Sequence, residues 1–140
     1  MYELAYKMLG GEKSDMSSVS ACLNIIRNGL PISMLESGSE LLGITNVEYA
    51  HLIGDSLSSI QRKIKTNGSL SPASSEHVLL LTELARQADE YFCDQEKRKR
   101  WFSRSNAALG NVTPLSICDM FTGINLVNDE LNKLKYGFTA

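Results

Sequence analysis

Long apolar runs are missing from this chain: no stretch approaches the ~20 residues that a membrane-spanning helix needs, so none is expected. Cysteine is scarce and badly placed for cross-linking. The three thiols, Cys22, Cys93 and Cys118, are odd in number and lack CxxC spacing, which argues against a disulfide framework and against a zinc site. Each sits among apolar residues and reads as a buried structural thiol. The two histidines, His51 and His77, have no acidic or cysteine neighbours at ligand spacing, so no metal is expected. Positive charge is not in excess: 14 basic against 16 acidic residues give a net charge of −2, and there is no global electrostatic case for nucleic acid. Catalytic signatures are absent too. There is no Gly-rich phosphate loop, no Ser/His/Asp set and no pair of carboxylates in a perturbing environment. Glu76 and His77 are neighbours on a helix and point in different directions. Neither an enzyme nor a cofactor is expected. The opening Met1-Tyr2-Glu3-Leu4-Ala5 lacks the basic-then-apolar order of a secretion signal, which makes a cytoplasmic location the expectation.

What is present is helical periodicity. At 140 residues, 43% hydrophobic and 21% charged, the chain has the make-up of one ordinary globular domain or two very small ones. Val19, Cys22, Leu23, Ile25 and Ile26 form one apolar helical face, ended by Asn28-Gly29. Pro31 suits the first turn of the next helix, which carries Met34, Leu35, Leu41 and Leu42, with Gly38 expected to make its middle irregular. Thr45 and Glu48 have capping-box spacing ahead of a helix that stops near Gly54. Another helix runs from Leu57 to Asn67-Gly68. Ser71-Pro72 opens the longest helix, on which Val78, Leu81, Leu84, Ala85, Ala88 and Phe92 repeat at helical period. Leu79, Leu80 and Tyr91 add apolar surface on its other sides. Thr113-Pro114 caps a short helix to about Met120, and a last helix carries Ile124, Val127, Leu131 and Leu134. No sustained alternation or β-branched run competes with these patterns, so the fold is expected to be all-α. The expected organisation is a helical region over 1–71, a connecting helix over 72–93 and a C-terminal module over 94–140.

Two segments carry candidate chemistry. Around Gly54, the residues Tyr49, Ala50, Ile53, Gly54 and Ile60 supply what a helix-turn-helix needs. These are a small residue where the helices cross, a residue tolerant of positive φ four places later, and apolar flanks. Ile64 is expected to continue the buried stripe. The motif would span about 45–66 and present Ser56, Ser58, Ser59, Gln61, Arg62, Lys63 and Lys65 as candidate DNA contacts. Gln and Ser can pair with base edges, whereas Arg and Lys are suited to phosphates, which set register. An ordinary α-hairpin with a solvated basic face would show the same spacing. Asp55 departs from the apolar residue usual after such a turn Gly, and is read as a cap for the second helix.

The second segment is the last 40 residues. They hold the single Trp and run W-F, Asn106, Leu109-Gly110, Pro114-Leu115, Asp119, then an amphipathic helix and Tyr136-Gly137-Phe138-Thr139-Ala140. An uncharged, aromatic tail is unlike the polar tails that fray in water, and suggests docking onto a partner. Basic residues Lys97, Arg98, Lys99, Arg100 and Arg104 precede or overlap this stretch; a solvated face is the first reading of them, with an acidic protein surface or phosphate contacts as the alternatives. Trp101 and Phe102 read as core of the module.

Taken together, Gly29-Leu30-Pro31, the Ala50/Gly54 turn, Leu70-Ser71-Pro72 with Glu76, and the ordered series from Trp101-Phe102 through Gly123, Val127 and Leu131 to Gly137 and Ala140 resemble the Xre/MbcA/ParS-type antitoxins. The likeness covers most of the chain from Gly29 onward. Met120 stands where the family usually has Thr, Asn125 where an Arg is common, and Thr139 where an aromatic is usual. The resemblance implies an N-terminal part that forms a homodimer and binds operator DNA, without catalysis or membrane association. It implies a C-terminal module that clamps a toxin, a RES-domain enzyme that degrades NAD or an ADP-ribosyltransferase-like one. The end of the module would block the active-site entrance. On that basis Trp101, Asn106, Asn125, Lys133, Tyr136, Gly137, Phe138, Thr139 and Ala140 are the candidate toxin contacts. A free-standing transcriptional regulator is the alternative. The first 25 or so residues match nothing in the family pattern, and a small helix pair is expected there.

Overall fold

Side-chain caps set where five of the helices begin. The computed structural model describes residues 1–137, and among these residues there are eight α-helices and no strand. The helices are α1 (Glu3–Met8), α2 (Val19–Asn28), α3 (Ile32–Leu42), α4 (Asn46–Leu52), α5 (Leu57–Thr66), α6 (Pro72–Phe92), α7 (Gln95–Ser103) and α8 (Phe121–Tyr136). Short 3-10 turns lie at Lys13–Met16, Ala107–Leu109 and Leu115–Ile117. Ser18 caps α2 by accepting from the Ala21 N–H at 3.1 Å, Thr45 caps α4 through Glu48 at 3.1 Å, and Ser56 caps α5 through Ser59 at 3.2 Å. Ser71 and Asp94 do the same for α6 and α7, at 3.1 and 3.0 Å. Each such bond satisfies an orphan N–H and is worth about 1 kcal/mol. The all-α fold expected from the periodicity is the one observed.

The chain divides into two compact units, Met1–Glu83 and Leu84–Ala140, and the division falls inside the continuous helix α6. In the first unit α3, α4 and α5 pack on one another around Tyr49, Leu35 and Ile60, all buried. The α2–α3 and α5–α6 connections are zipped together: Leu70 N–H donates to the Leu30 carbonyl at 2.8 Å and Ile32 N–H to the Gly68 carbonyl at 2.9 Å. Ser75 on α6 closes the arrangement by accepting from the Leu30 N–H at 2.8 Å. Gly29-Leu30-Pro31 and Leu70-Ser71-Pro72 are thus two sides of one backbone clasp. Ahead of it, α1 and α2 flank the Lys13–Met16 turn, whose Met16 is buried. In the second unit α8 packs against both of the later 3-10 turns, and Phe102, Cys118, Val127 and Leu131 are fully buried.

Several local expectations are corrected. Helix α3 is unbroken at Gly38, which is buried and gives its missing side chain's space to the Tyr49 ring, 3.0–3.2 Å from where a Cβ would stand. Ile64 does not extend the buried stripe: it is 40% exposed, unlike Ile60 one turn earlier. Tyr91 is exposed and Leu80 half-buried, so α6 buries only part of its apolar excess there. Cys93 is exposed, not buried; it takes a positive φ of 54° just past the end of α6. Arg98 is not solvated: it is buried and paired with Asp89 at 2.7 Å. The helix after Thr113-Pro114 is a single 3-10 turn, Leu115–Ile117, capped by the Thr113 hydroxyl at 3.2 Å from Ser116 N.

Candidate functional site

The turn between α4 and α5 has the geometry that the spacing requires. Gly54 takes φ +73°, which lets the Asp55 N–H fold back onto the Ala50 carbonyl at 3.0 Å. Tyr49, Ala50, Ile53 and Ile60 are all buried around it. Asp55 is not the cap of α5; Ser56 is. Asp55 Oδ1 accepts instead from the Ser56 N–H at 3.0 Å, and Oδ2 accepts from the Ser74 hydroxyl at 3.3 Å. The same carboxylate faces Lys63 Nζ at 3.8 Å. A carboxylate in place of the usual apolar residue therefore latches the turn to α6 and compensates Lys63.

This local wiring sorts the candidate DNA contacts. Ser58, Gln61, Arg62 and Lys65 are exposed on α5, while Ser59 is half-buried. Ser56 is exposed but its hydroxyl is committed to the helix N-terminus. Lys63 is half-buried and held by Asp55, which leaves Arg62 and Lys65 as the cations of the helix that form no ion pair among the described residues. Leu57 and Ile64 are also exposed, seven residues apart on one face of α5. The sequence pattern gave no hint of that apolar edge, since its period is that of a buried stripe.

The second surface is built on α8. Its inner stripe of Gly123, Ile124, Val127 and Leu131 is buried. A Cβ at Gly123 would collide with the Ile117 carbonyl oxygen, so glycine there lets α8 lie directly on the Leu115–Ile117 turn. The outer face shows Asn125, Lys133 and Tyr136, together with Phe121 at 63% and Leu126 at 48% exposure. Lys133 pairs with Glu130 at 3.1 Å. Phe121 and Leu126 were not singled out from the sequence, because a single helix pattern does not say which of two apolar faces is covered. The helix ends at Gly137, in the left-handed conformation at φ +69°. Lys135 ties the helix back to Glu90 on α6 at 3.1 Å, and this ammonium, ahead of Arg86, holds the Glu90 carboxyl below its ordinary value. Phe138, Thr139 and Ala140 lie outside the described residues.

Trp101 lies on α7 and Asn106 at the start of the turn that follows it. Trp101 is half-buried, edge-on to the buried Phe102 at 5.1 Å and tilted against Phe92 at 6.3 Å. Asn106 caps the following 3-10 turn, its Oδ1 accepting from Ala108 N at 3.0 Å. Both line a cleft of about 510 Å³ with Lys97, Arg100 and Arg104 at its sides. Burial pushes the Cys118 thiol up to about 12, which suits a packing role. Among the described residues no cluster of His, Cys, Asp or Glu could hold a metal, and no helix is long and apolar enough to cross a membrane.

Comparison with known proteins follows the same division. Residues 23–83 match the antitoxin Xre-like helix-turn-helix domain, and residues 87–137 match the antitoxin Xre/MbcA/ParS C-terminal toxin-binding domain. The boundary between the matches falls where the two compact units divide. The Antitoxin Xre of Photorhabdus laumondii subsp. laumondii is 24% identical over 126 residues, spanning 89% of this chain and 85% of that relative. With a helix-turn-helix unit and a toxin-binding unit matched in order along one chain, this protein belongs to the Xre/MbcA/ParS-type antitoxins.

Proposed function

We propose that the chain neutralises a cognate toxin by covering its active site with the segment after α8, and that it represses its own operon as a homodimer bound to operator DNA through α5. The toxin would be a RES-domain, NAD-degrading enzyme or an ADP-ribosyltransferase-like one, and the antitoxin would act without catalysis in the cytoplasm. The observation that carries the reading is the outer face of α8. Phe121, Leu126 and Tyr136 are large, apolar and exposed within the segment matched to a toxin-binding domain. Exposed large apolar side chains on one helix fit a protein partner, and Tyr136 is the aromatic type that anchors such contacts.

Trp101, Asn106, Asn125, Lys133, Tyr136, Gly137, Phe138, Thr139 and Ala140 are proposed to meet the toxin, with the segment from Tyr136 onward acting as the plug. Ser56, Ser58, Ser59, Gln61, Arg62, Lys63 and Lys65 are proposed to meet DNA, with Gln61 and Ser58 placed to read bases and Arg62 and Lys65 to hold phosphates. Removal of residues 138–140 tests the occlusion. The shortened chain should still co-purify with the toxin through α8 yet fail to rescue toxin-expressing cells. Full rescue would overturn active-site occlusion while leaving toxin binding in place.

A further inference from the structure

Three of the basic residues around Trp101 frame a cleft that neither a helix cap nor an ion pair accounts for. Lys97, Arg100, Trp101 and Arg104 stand at i, i+3, i+4 and i+7, so they share one side of α7 and its C-cap. The cleft they line holds about 510 Å³, and Phe92, the half-buried Trp101 and Asn106 share its lining. A volume of that order lies within the usual range for a small-molecule site, roughly 300–1,000 Å³. Lys97, Arg100 and Arg104 are all exposed and form no ion pair among the described residues. The acids closest to them along the chain are Glu96, exposed and next to Lys97, and Asp94. The Asp94 carboxylate accepts from the Lys97 backbone N–H to cap α7 and faces the charges of Lys97 and Arg100. Three cations and no acid among its lining residues leave the cleft positive. By contrast Arg98, on the other side of the helix, is buried against Asp89, so the cationic excess is confined to the cleft side.

An aromatic lining beside two guanidinium groups and an ammonium fits a planar, electron-rich ring joined to an anion. Bases stack on aromatic faces, and guanidinium forks pair with phosphate oxygens. An acidic peptide would use the cations but leave the Trp101 face without a matching plane. We propose that this cleft binds a nucleoside 5′-phosphate unit, with the base against Trp101 and the phosphate held by Arg100 and Arg104, and Lys97 supplying long-range attraction. The unit can come from a free nucleotide or from an unpaired nucleotide of a strand. The site is a property of the second unit alone, and it stands whether or not the toxin has the chemistry proposed above.

Trp101 is the sole Trp of the chain, so its emission reports on the cleft without labelling. The full chain is titrated with adenosine 5′-monophosphate, with adenosine, with inorganic phosphate, and with a short single-stranded oligo-dT. Saturable quenching by the monophosphate, with adenosine and phosphate each about tenfold weaker or worse, supports a free nucleotide. Quenching by the oligonucleotide but not by the monophosphate supports the strand as source. Arg100→Ala with Arg104→Ala should weaken either signal about tenfold or more, with an unchanged circular-dichroism melt because both side chains are exposed. The proposal fails if neither probe alters emission at millimolar concentration, if phosphate alone binds as well as the monophosphate, or if the double variant binds like the parent.

Discussion

Gly123 shows how one missing methyl group decides a packing distance. In a helix interior glycine ordinarily costs about 1 kcal/mol relative to alanine, so Gly123→Ala would stabilise α8 if space allowed. The Ile117 carbonyl occupies the position of the added Cβ, and it is backbone that cannot swing aside. The substitution should therefore destabilise the chain by about 1–3 kcal/mol, the usual cost of overpacking, seen as a lower urea midpoint. An equal or higher midpoint would mean that the turn yields. The thiols provide a second test at the same scale. Cys93 is exposed while Cys22 and Cys118 are buried, so a thiol reagent should label Cys93 rapidly in the native protein and the other two only on unfolding. Cys118 also sets a sign in alkali. Its folded value is raised from 9.0 to about 12, chiefly by burial and also by the Asp119 charge. Its contribution to stability is thus fully present below pH 9.0 and is lost as pH rises towards 12. Cys118→Ser should remove that part of the alkaline loss.

Among the elements, α5 and α8 each combine a fold-holding task with an outward face. Ser56→Ala removes the cap of α5 and should cost about 1 kcal/mol, whereas Gln61→Ala, at an exposed position, should leave the melting curve unchanged. Operator binding by the two variants, measured by gel shift, separates capping from contact. If Gln61→Ala combined with Arg62→Ala binds DNA as the parent does, α5 is not the reading helix. The Lys135–Glu90 bond fastens the end of α8 to α6, and its pH dependence has a definite direction. The Glu90 carboxyl is depressed below its ordinary 4.5, first by the Lys135 bond and then by Arg86. The stabilisation is therefore present above pH 4.5 and fades as pH falls through the folded value. With Glu90 47% exposed, solvent screening limits it to about 1 kcal/mol or less. Lys135→Met should flatten that acid limb; an unaltered limb would show the bond to be idle.

For the molecule as a whole, the scarcity of free cations on α5 limits how DNA can be held. Arg62 and Lys65 lack ion pairs among the described residues, and Lys63 is compensated by Asp55. Each neutralised phosphate contributes a slope of about −0.9 in log K against log salt, so two contacts per half-site predict a shallow salt dependence. A slope much steeper than about −2 per half-site would mean that Lys97, Arg100 and Arg104 also touch phosphate. Asp55→Ala should steepen the slope by freeing Lys63, and at the same time weaken the latch to Ser74.

Much of this was legible in the residues because it is local. Thr45 and Ser71 satisfy helix N-termini a few residues away and Gly54 provides a backbone angle within its own turn, whereas the cap of α5, expected at Asp55, is Ser56. Such interactions depend on sequence separation, so spacing alone fixed the helix order, the all-α class and the motif series of the family. What the tertiary structure decided was which of two plausible faces is covered. Arg98 looked like one more solvated cation, but Asp89 on α6 withdraws it from water. Ile64 continued a periodic stripe, yet it is left 40% exposed, while Gly38 looked like a helix fault and proved to be a seat for Tyr49. Phe121 and Leu126 have the same apolar character as Ile124 and Val127 and the opposite exposure. Burial belongs to contacts between residues far apart in the chain, and a periodic pattern carries no record of which neighbour arrives.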